Sequence, residues 1–143
     1  MATSALSNVT VSATLSQSVA SSITVTSFKG VDLTGTNGSG AIGAIGSGNA
    51  SAGAPSASLV TTRNNSWVVG VGNDYDNAIA RTPASGQTLV HQDLSPVGDT
   101  YWVQMFNSPT PSTGSSVSLS DSAPASDRFN LSLCEILPAL QAK

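Results

Sequence analysis

Charge is scarce in this chain: Asp, Glu, Lys and Arg make up 9% of its 143 residues, against about 25% in ordinary soluble domains. Five basic residues face eight acidic ones, so there is no basic footprint for a phosphate backbone, and nucleic acid is not an expected partner. The single cysteine, Cys134, excludes an internal disulfide. With Leu133 and Glu135 on either side in a strand-like run, it reads as a small buried hydrophobe. The only histidine is His91, so a Cys–His nucleophilic pair would need those two to meet. Glu135 is the only glutamate, and the aspartates sit mostly in turn-like contexts, which leaves no assignable carboxylate pair for glycoside hydrolysis. No G-x-S-x-G elbow accompanies His91-Gln92-Asp93. The expectation is a protein that is not an enzyme. The apolar runs fall short of the roughly 18 residues of a membrane helix, and Met1-Ala2-Thr3-Ser4 lacks the basic start of a signal peptide. No membrane insertion is expected.

Ser, Thr, Ala and Gly fill the space that charge vacates. Hydroxyl side chains compete with helical hydrogen bonds and glycine weakens helices, so strands and turns are favoured. Residues 8–15 alternate, with Val9, Val11, Ala13 and Leu15 on one face, as a half-buried strand does. Residues 21–31 begin the same way at Ile23 and Val25, then slip phase at Ser27-Phe28. Residues 30–55 read as a long Gly/Ser/Ala-rich loop with at most a short strand through Ile42 and Ile45. The loop contains Gly38-Ser39-Gly40-Ala41-Ile42-Gly43, a formal dinucleotide fingerprint without the helix and ribose-binding acid that would make it one.

Further strands are expected at residues 57–62, 66–71, 87–92, 100–106, at Val117 and Leu119, and at 128–136, with residues 138–143 as a tail. The run Trp67, Val68, Val69, Val71 does not alternate, which predicts a central strand buried on both faces with residues 101–106 as its neighbour. Eight or nine short strands with regular turns predict one all-β domain over 1–143, an antiparallel β-sandwich of jelly-roll type.

Polar chemistry concentrates at residues 73–77. Asn73, Asp74, Asp76 and Asn77 offer hard oxygen ligands, so calcium is a candidate cofactor, with Asp74 and Asp76 as its ligands. The competing reading is that these side chains close the turn on their own backbone. Trp67, Tyr75, Tyr101 and Trp102 are candidates to stack a sugar ring, with Asn73 and Asp74 bonding its hydroxyls. One of Tyr101 and Trp102 must nevertheless face the core. Asp127-Arg128 reads as a local ion pair or turn clamp. Lys29 and Asn130 could form an isopeptide crosslink if Asp127 or Glu135 served as the buried acid.

Five stretches carry a resemblance: Leu6-Ser7-Asn8-Val9-Thr10-Val11, Gly72-Asn73-Asp74-Tyr75-Asp76-Asn77-Ala78, Gly86-Gln87-Thr88-Leu89-Val90-His91-Gln92, Gly98-Asp99-Thr100-Tyr101-Trp102-Val103-Gln104 and Asp127-Arg128-Phe129-Asn130-Leu131. Through them the chain resembles a β-rich module of large secreted or cell-surface bacterial proteins, often found beside Ig-like or fibronectin-like repeats. The resemblance implies an extracellular setting and no particular chemistry. Relative to that module, strands before Leu6 are expected to be missing, which would leave a sheet edge open to a strand from another chain. The function expected from this is a non-catalytic structural or adhesive module that self-associates, as a homo-oligomer or filament or with a strand-donating partner. The alternative is a carbohydrate-binding module using the exposed aromatics and residues 73–77.

Overall fold

A computed structural model describes residues 7–140. A short 3-10 turn, Thr36–Ala41, leads into eight strands: β1 Ile42–Gly53, β2 Ser56–Val60, β3 Trp67–Asp74, β4 Thr82–Pro83, β5 Gln87–Leu94, β6 Thr100–Phe106, β7 Ser116–Ala123 and β8 Asp127–Ile136. They form a five-stranded sheet ordered β1-β8-β3-β6-β5 and a three-stranded sheet ordered β2-β7-β4. Every named pairing is antiparallel. The two sheets make the expected all-β sandwich. No helix among the described residues is long and apolar enough to cross a membrane, which says nothing of strands.

Strand alternation places the core. In β8, Phe129, Leu131 and Leu133 point inward and are buried, while Asn130 and Ser132 point out. They pack with Val68, Trp102, Leu119, Ala57 and Leu59. Each large side chain so covered contributes about 1.5–3 kcal/mol.

β3 does lie at the centre of the larger sheet, with β6 beside it as the sequence implied. It is not buried on both faces, however. Val69 is half-buried and Val71 is 59% exposed. The inward positions after Val68 are Gly70 and Gly72, where a Cβ would meet Leu119 and Leu133 in one case and the Trp102 indole in the other. The unbroken apolar look of β3 therefore reflects one face of valines outside and glycines inside, making room for Trp102. Gly72→Ala must displace that indole, with an expected loss of about 1–3 kcal/mol. A urea-unfolding midpoint unchanged in the variant would contradict this contact.

The 30–55 loop is corrected: residues 42–53 of it are β1, the longest strand. Its inward residues are Ala44, Gly46, Gly48 and Ala50, too small to give a hydrophobic period. The smallness has a packing reason, since a Cβ at Gly46 or Gly48 would collide with the Ser58 or Ser56 carbonyl of β2. Glycine lets the edge of one sheet close against the other. The fingerprint-like glycines lie in the 3-10 turn and the start of β1, with no helix behind them.

The N-terminal strands are also corrected. Residues 8–30 form no strand. Val9, Val11, Leu15, Val19, Ile23 and Val25 are each 50–61% exposed. An alternating sequence holds a strand only where a neighbour completes the ladder and a face is covered, and the described residues supply neither. The base of this arm is anchored: Val31 bridges Pro138, Asp32 N–H donates to Leu137, and the Asp32 carboxylate accepts from Arg63 at 2.8 Å. The Thr34 hydroxyl, then Arg63, hold Asp32 well below the usual carboxylate range, at about 2. Further out, Ser22 and Thr24 line a groove over the outer face of the five-stranded sheet.

Candidate functional site

The loop after β3 is bonded to itself and to its surroundings. Asp76 N–H donates to Asp74 Oδ1 at 3.0 Å, the backbone-closing geometry set against calcium above. Asn77 Nδ2 donates to Asp127 Oδ1 at 2.9 Å. The exposed Tyr75 accepts from Arg128 Nη1 at 2.9 Å, and the Arg128 guanidinium stacks 4.8 Å from its ring while Nε donates to Asp76 at 2.9 Å. Asp127 and Arg128 consequently do not pair with each other. Neighbours in a strand point to opposite faces.

Asp127 turns inward to Arg81, a residue that no motif in the sequence singles out. The Arg81 side chain is fully buried. Its Nη2 sits 2.7 Å from Asp74 Oδ2 and its Nη1 3.2 Å from Asp127 Oδ2. The guanidinium also lies over the Trp102 ring, 4.7 Å from its centroid. Carboxylate oxygens of Asp74, Asp76 and Asp127 fall within 4.8 Å of one another, which suits a hard cation by donor type. All three are already paired with a guanidinium, so a metal ion would compete with Arg81 and Arg128 for the same oxygens.

One arginine against several carboxylates has electrostatic consequences. Burial, reinforced by the neighbouring Asp76 and Asp127, pushes Asp74 up to about 6. Arg128 holds Asp76 low. Asp121, inward on β7, is pushed by burial up to about 6 despite the attraction of Arg81. Among the described residues neither Asp121 oxygen is held by a well-formed hydrogen bond, although Gln104 lies close enough to oppose the effect of burial. A carboxyl whose pKa rises on folding stabilises the native state most below its unfolded value of 3.8, and that contribution is lost as pH rises through 6. Asp121→Asn is therefore expected to raise stability at about pH 7, by at most about 3 kcal/mol, and to change little at about pH 4. Melting temperatures across that range test it, and a variant less stable at neutral pH would show that the ionised group has a partner.

Glu135 is the opposite case. It is fully buried, yet four donors converge on it: Ala44 N–H at 2.9 Å, Thr62 N–H at 2.9 Å, Thr62 Oγ1 at 2.7 Å and Arg63 N–H at 3.2 Å. Burial opposes ionisation, but the hydrogen bonds from Ala44 and Thr62 outweigh it and hold the carboxyl below the ordinary glutamate range. Its role is to tie β1 and the β2–β3 turn to β8.

The outer face of the five-stranded sheet is organised by register. Asn49, Asn130, Asn73, Tyr101 and Asp93 stand in one cross-strand row, one from each strand. The next row is Ser47, Ser132, Val71, Val103 and His91, and beyond it lie Ile45, Cys134, Val69, Met105 and Thr88. Trp67 is half-buried beside Ile136 at the far end. The face thus grades from amide to aliphatic. A groove of about 430 Å³ lies between it and the arm at Ser22 and Thr24.

The expected sugar-binding set is divided by this arrangement. Trp102 is 1% exposed and is a core residue, a correction that follows from the strand alternation with Tyr101, which faces out. Asp74 is wholly buried with Arg81. Trp67 and Asn73 share the outer face but lie six residues apart on β3, about 20 Å. Cys134 is half-buried on that face rather than inside, and His91 is three strands away. Asn130 also faces out, whereas Asp127 and Glu135 face in with partners of their own; Lys29 is exposed in the arm.

No protein-family model matches the chain, and no curated protein matches it. Among solved structures it is similar to the tripod (BppUct-A-L) from the baseplate of bacteriophage Tuc2009, at 11% identity over 90% of this chain and 83% of that one, with a TM-score of 0.39. A likeness of that degree leaves function to the geometry.

Proposed function

We propose that this chain is a non-catalytic structural module of the cell exterior that self-associates through its N-terminal arm. One observation carries the reading: the arm presents Ser22 and Thr24 to the sheet and leaves Ile23 and Val25 at 55% and 61% exposure. Its apolar stripe, continued at Val9, Val11, Leu15 and Val19, is turned to solvent. A stripe of that kind wants a covering layer, and full burial of each aliphatic side chain is worth about 1.5–3 kcal/mol. The partner that fits is a second copy, whose arm carries the same stripe and whose larger sheet ends on the edge strand β5. Strand addition there would satisfy both the unpaired ladder and the uncovered face.

Size-exclusion chromatography with light scattering at about 100 μM should show an oligomer. Replacing Val9, Val11, Ile23 and Val25 together by serine should return it to monomer without lowering the melting temperature of the sandwich. A wild-type chain that stays monomeric at that concentration would sink the reading.

A further inference from the structure

We infer that the amide row on the outer face of the five-stranded sheet, with the groove beside it, is a binding site for a neutral oligosaccharide. Asn49, Asn130 and Asn73 are direct cross-strand neighbours, and Tyr101 and Asp93 continue the row. The carboxamides of these three asparagines are engaged by no other side chain among the described residues, whereas Asn77 donates to Asp127. Each carboxamide offers a donor pair and an acceptor, the complement of vicinal hydroxyls. Adjacent strands stand about 4.8 Å apart, so five strands span about 19 Å. That spacing is close to the length of one hexopyranose unit, which lets successive sugars meet successive strands.

The groove supplies the remaining elements of a sugar site. Its floor is aliphatic, with Val71 at 59% exposure beside Val103, a surface for the C–H face of a pyranose ring. Its rim is hydrogen-bonding, with Asn73, His91 and Ser132 from the sheet and Thr24 from the arm. Its volume, about 430 Å³, lies in the range of small-ligand sites. Tyr101 stands half-buried where row and groove meet, its hydroxyl donating to Asp99 Oδ2 at 2.7 Å, which fixes the ring and leaves the hydroxyl oxygen as acceptor. Charge selects the class. Among the described residues no lysine or arginine lines the groove, and the row ends on Asp93, so phosphorylated, sulfated or uronic ligands find no lysine or arginine to pair with there. This site shares Asn73 with the 73–77 loop but uses the opposite face from Asp74 and Asp127. It does not depend on self-association.

Isothermal titration of the full chain with cellohexaose, xylohexaose and mannohexaose, and with a hexagalacturonate as the anionic comparison, tests it. Saturable binding of at least one neutral hexaose is expected, weakened about tenfold or more by Asn73→Ala and by Asn130→Ala, and unchanged by Tyr75→Ala. Thermal melts verify that both asparagine variants remain folded. No saturable heat from any neutral hexaose at about 1 mM overturns the proposal. So does tighter binding of the galacturonate, or binding that is lost with Tyr75→Ala and survives both asparagine changes.

Discussion

Arg81→Leu is expected to cost about 3–5 kcal/mol at neutral pH, enough to leave a domain of ordinary stability largely unfolded. The leucine fills the space over Trp102 but leaves Asp74 and Asp127 without the guanidinium that now lies 2.7 Å and 3.2 Å from them. Two adjacent carboxylates in a water-poor interior then have no counter-charge, and this, more than the lost contact, sets the magnitude. Two companion results separate this account from simple loss of packing. Adding Asp74→Asn and Asp127→Asn to Arg81→Leu should recover much of the loss, because the stranded charge is gone. The defect should also shrink toward about pH 5, where Asp74, already shifted to about 6, takes up its proton. Arg81→Lys should fall between, since an ammonium keeps the charge but not the fork that reaches both acids or the planar stack on the indole. Urea midpoints for the series are the measurement, and an Arg81→Leu loss below about 1 kcal/mol would remove the buried cluster from the account.

Glu135→Ala should be comparably severe, at about 3–5 kcal/mol. Here no cation is involved. The substitution strands the backbone donors of Ala44, Thr62 and Arg63 and the Thr62 hydroxyl in a buried pocket, and each unsatisfied group costs about 1–3 kcal/mol before relaxation. Glu135→Gln keeps the shape but aims an amide N–H₂ at groups that are themselves donors, so a loss of about 1–3 kcal/mol is expected. Glu135 is held below its ordinary value, so its stabilisation is present above the unfolded pKa of 4.5 and fades as pH falls through the lower folded value. Amide exchange adds a local reading: protection at Ala44 and Thr62 should collapse in Glu135→Ala before that of β3 and β6 does. Uniform loss across all strands would mean that the clamp does not hold β1 in particular.

Much of the sandwich was legible because large apolar residues alternate with polar ones wherever one strand face is covered. Phe129, Leu131 and Leu133 announced β8, and residues 87–92 and 100–106 announced β5 and β6. β1 was illegible for the complementary reason: where sheets close together, the inward residues must be small, and Ala44, Gly46, Gly48 and Ala50 carry no period. Residues 8–25 failed in the other direction, with a full strand pattern and no strand, because the pattern records a preference for a partner and not its presence. At the site, the turn chemistry of Asp74 and Asp76 was readable locally. Arg81 was not, since its partners come from β3 and β8 and only folding brings residues 74 and 127 to one guanidinium.

Composition and periodicity by themselves determined an antiparallel all-β domain with little charge and the inward set of β8. Local rules suffice there, because alternation and turn residues act over a few positions. Tertiary structure alone decided which of Tyr101 and Trp102 faces out, that the only glutamate is a backbone clamp, and that Asn49, Asn73 and Asn130 stand in one row. Those outcomes depend on register between strands distant in sequence, and register is set by the collective fit of two sheets rather than by any single segment.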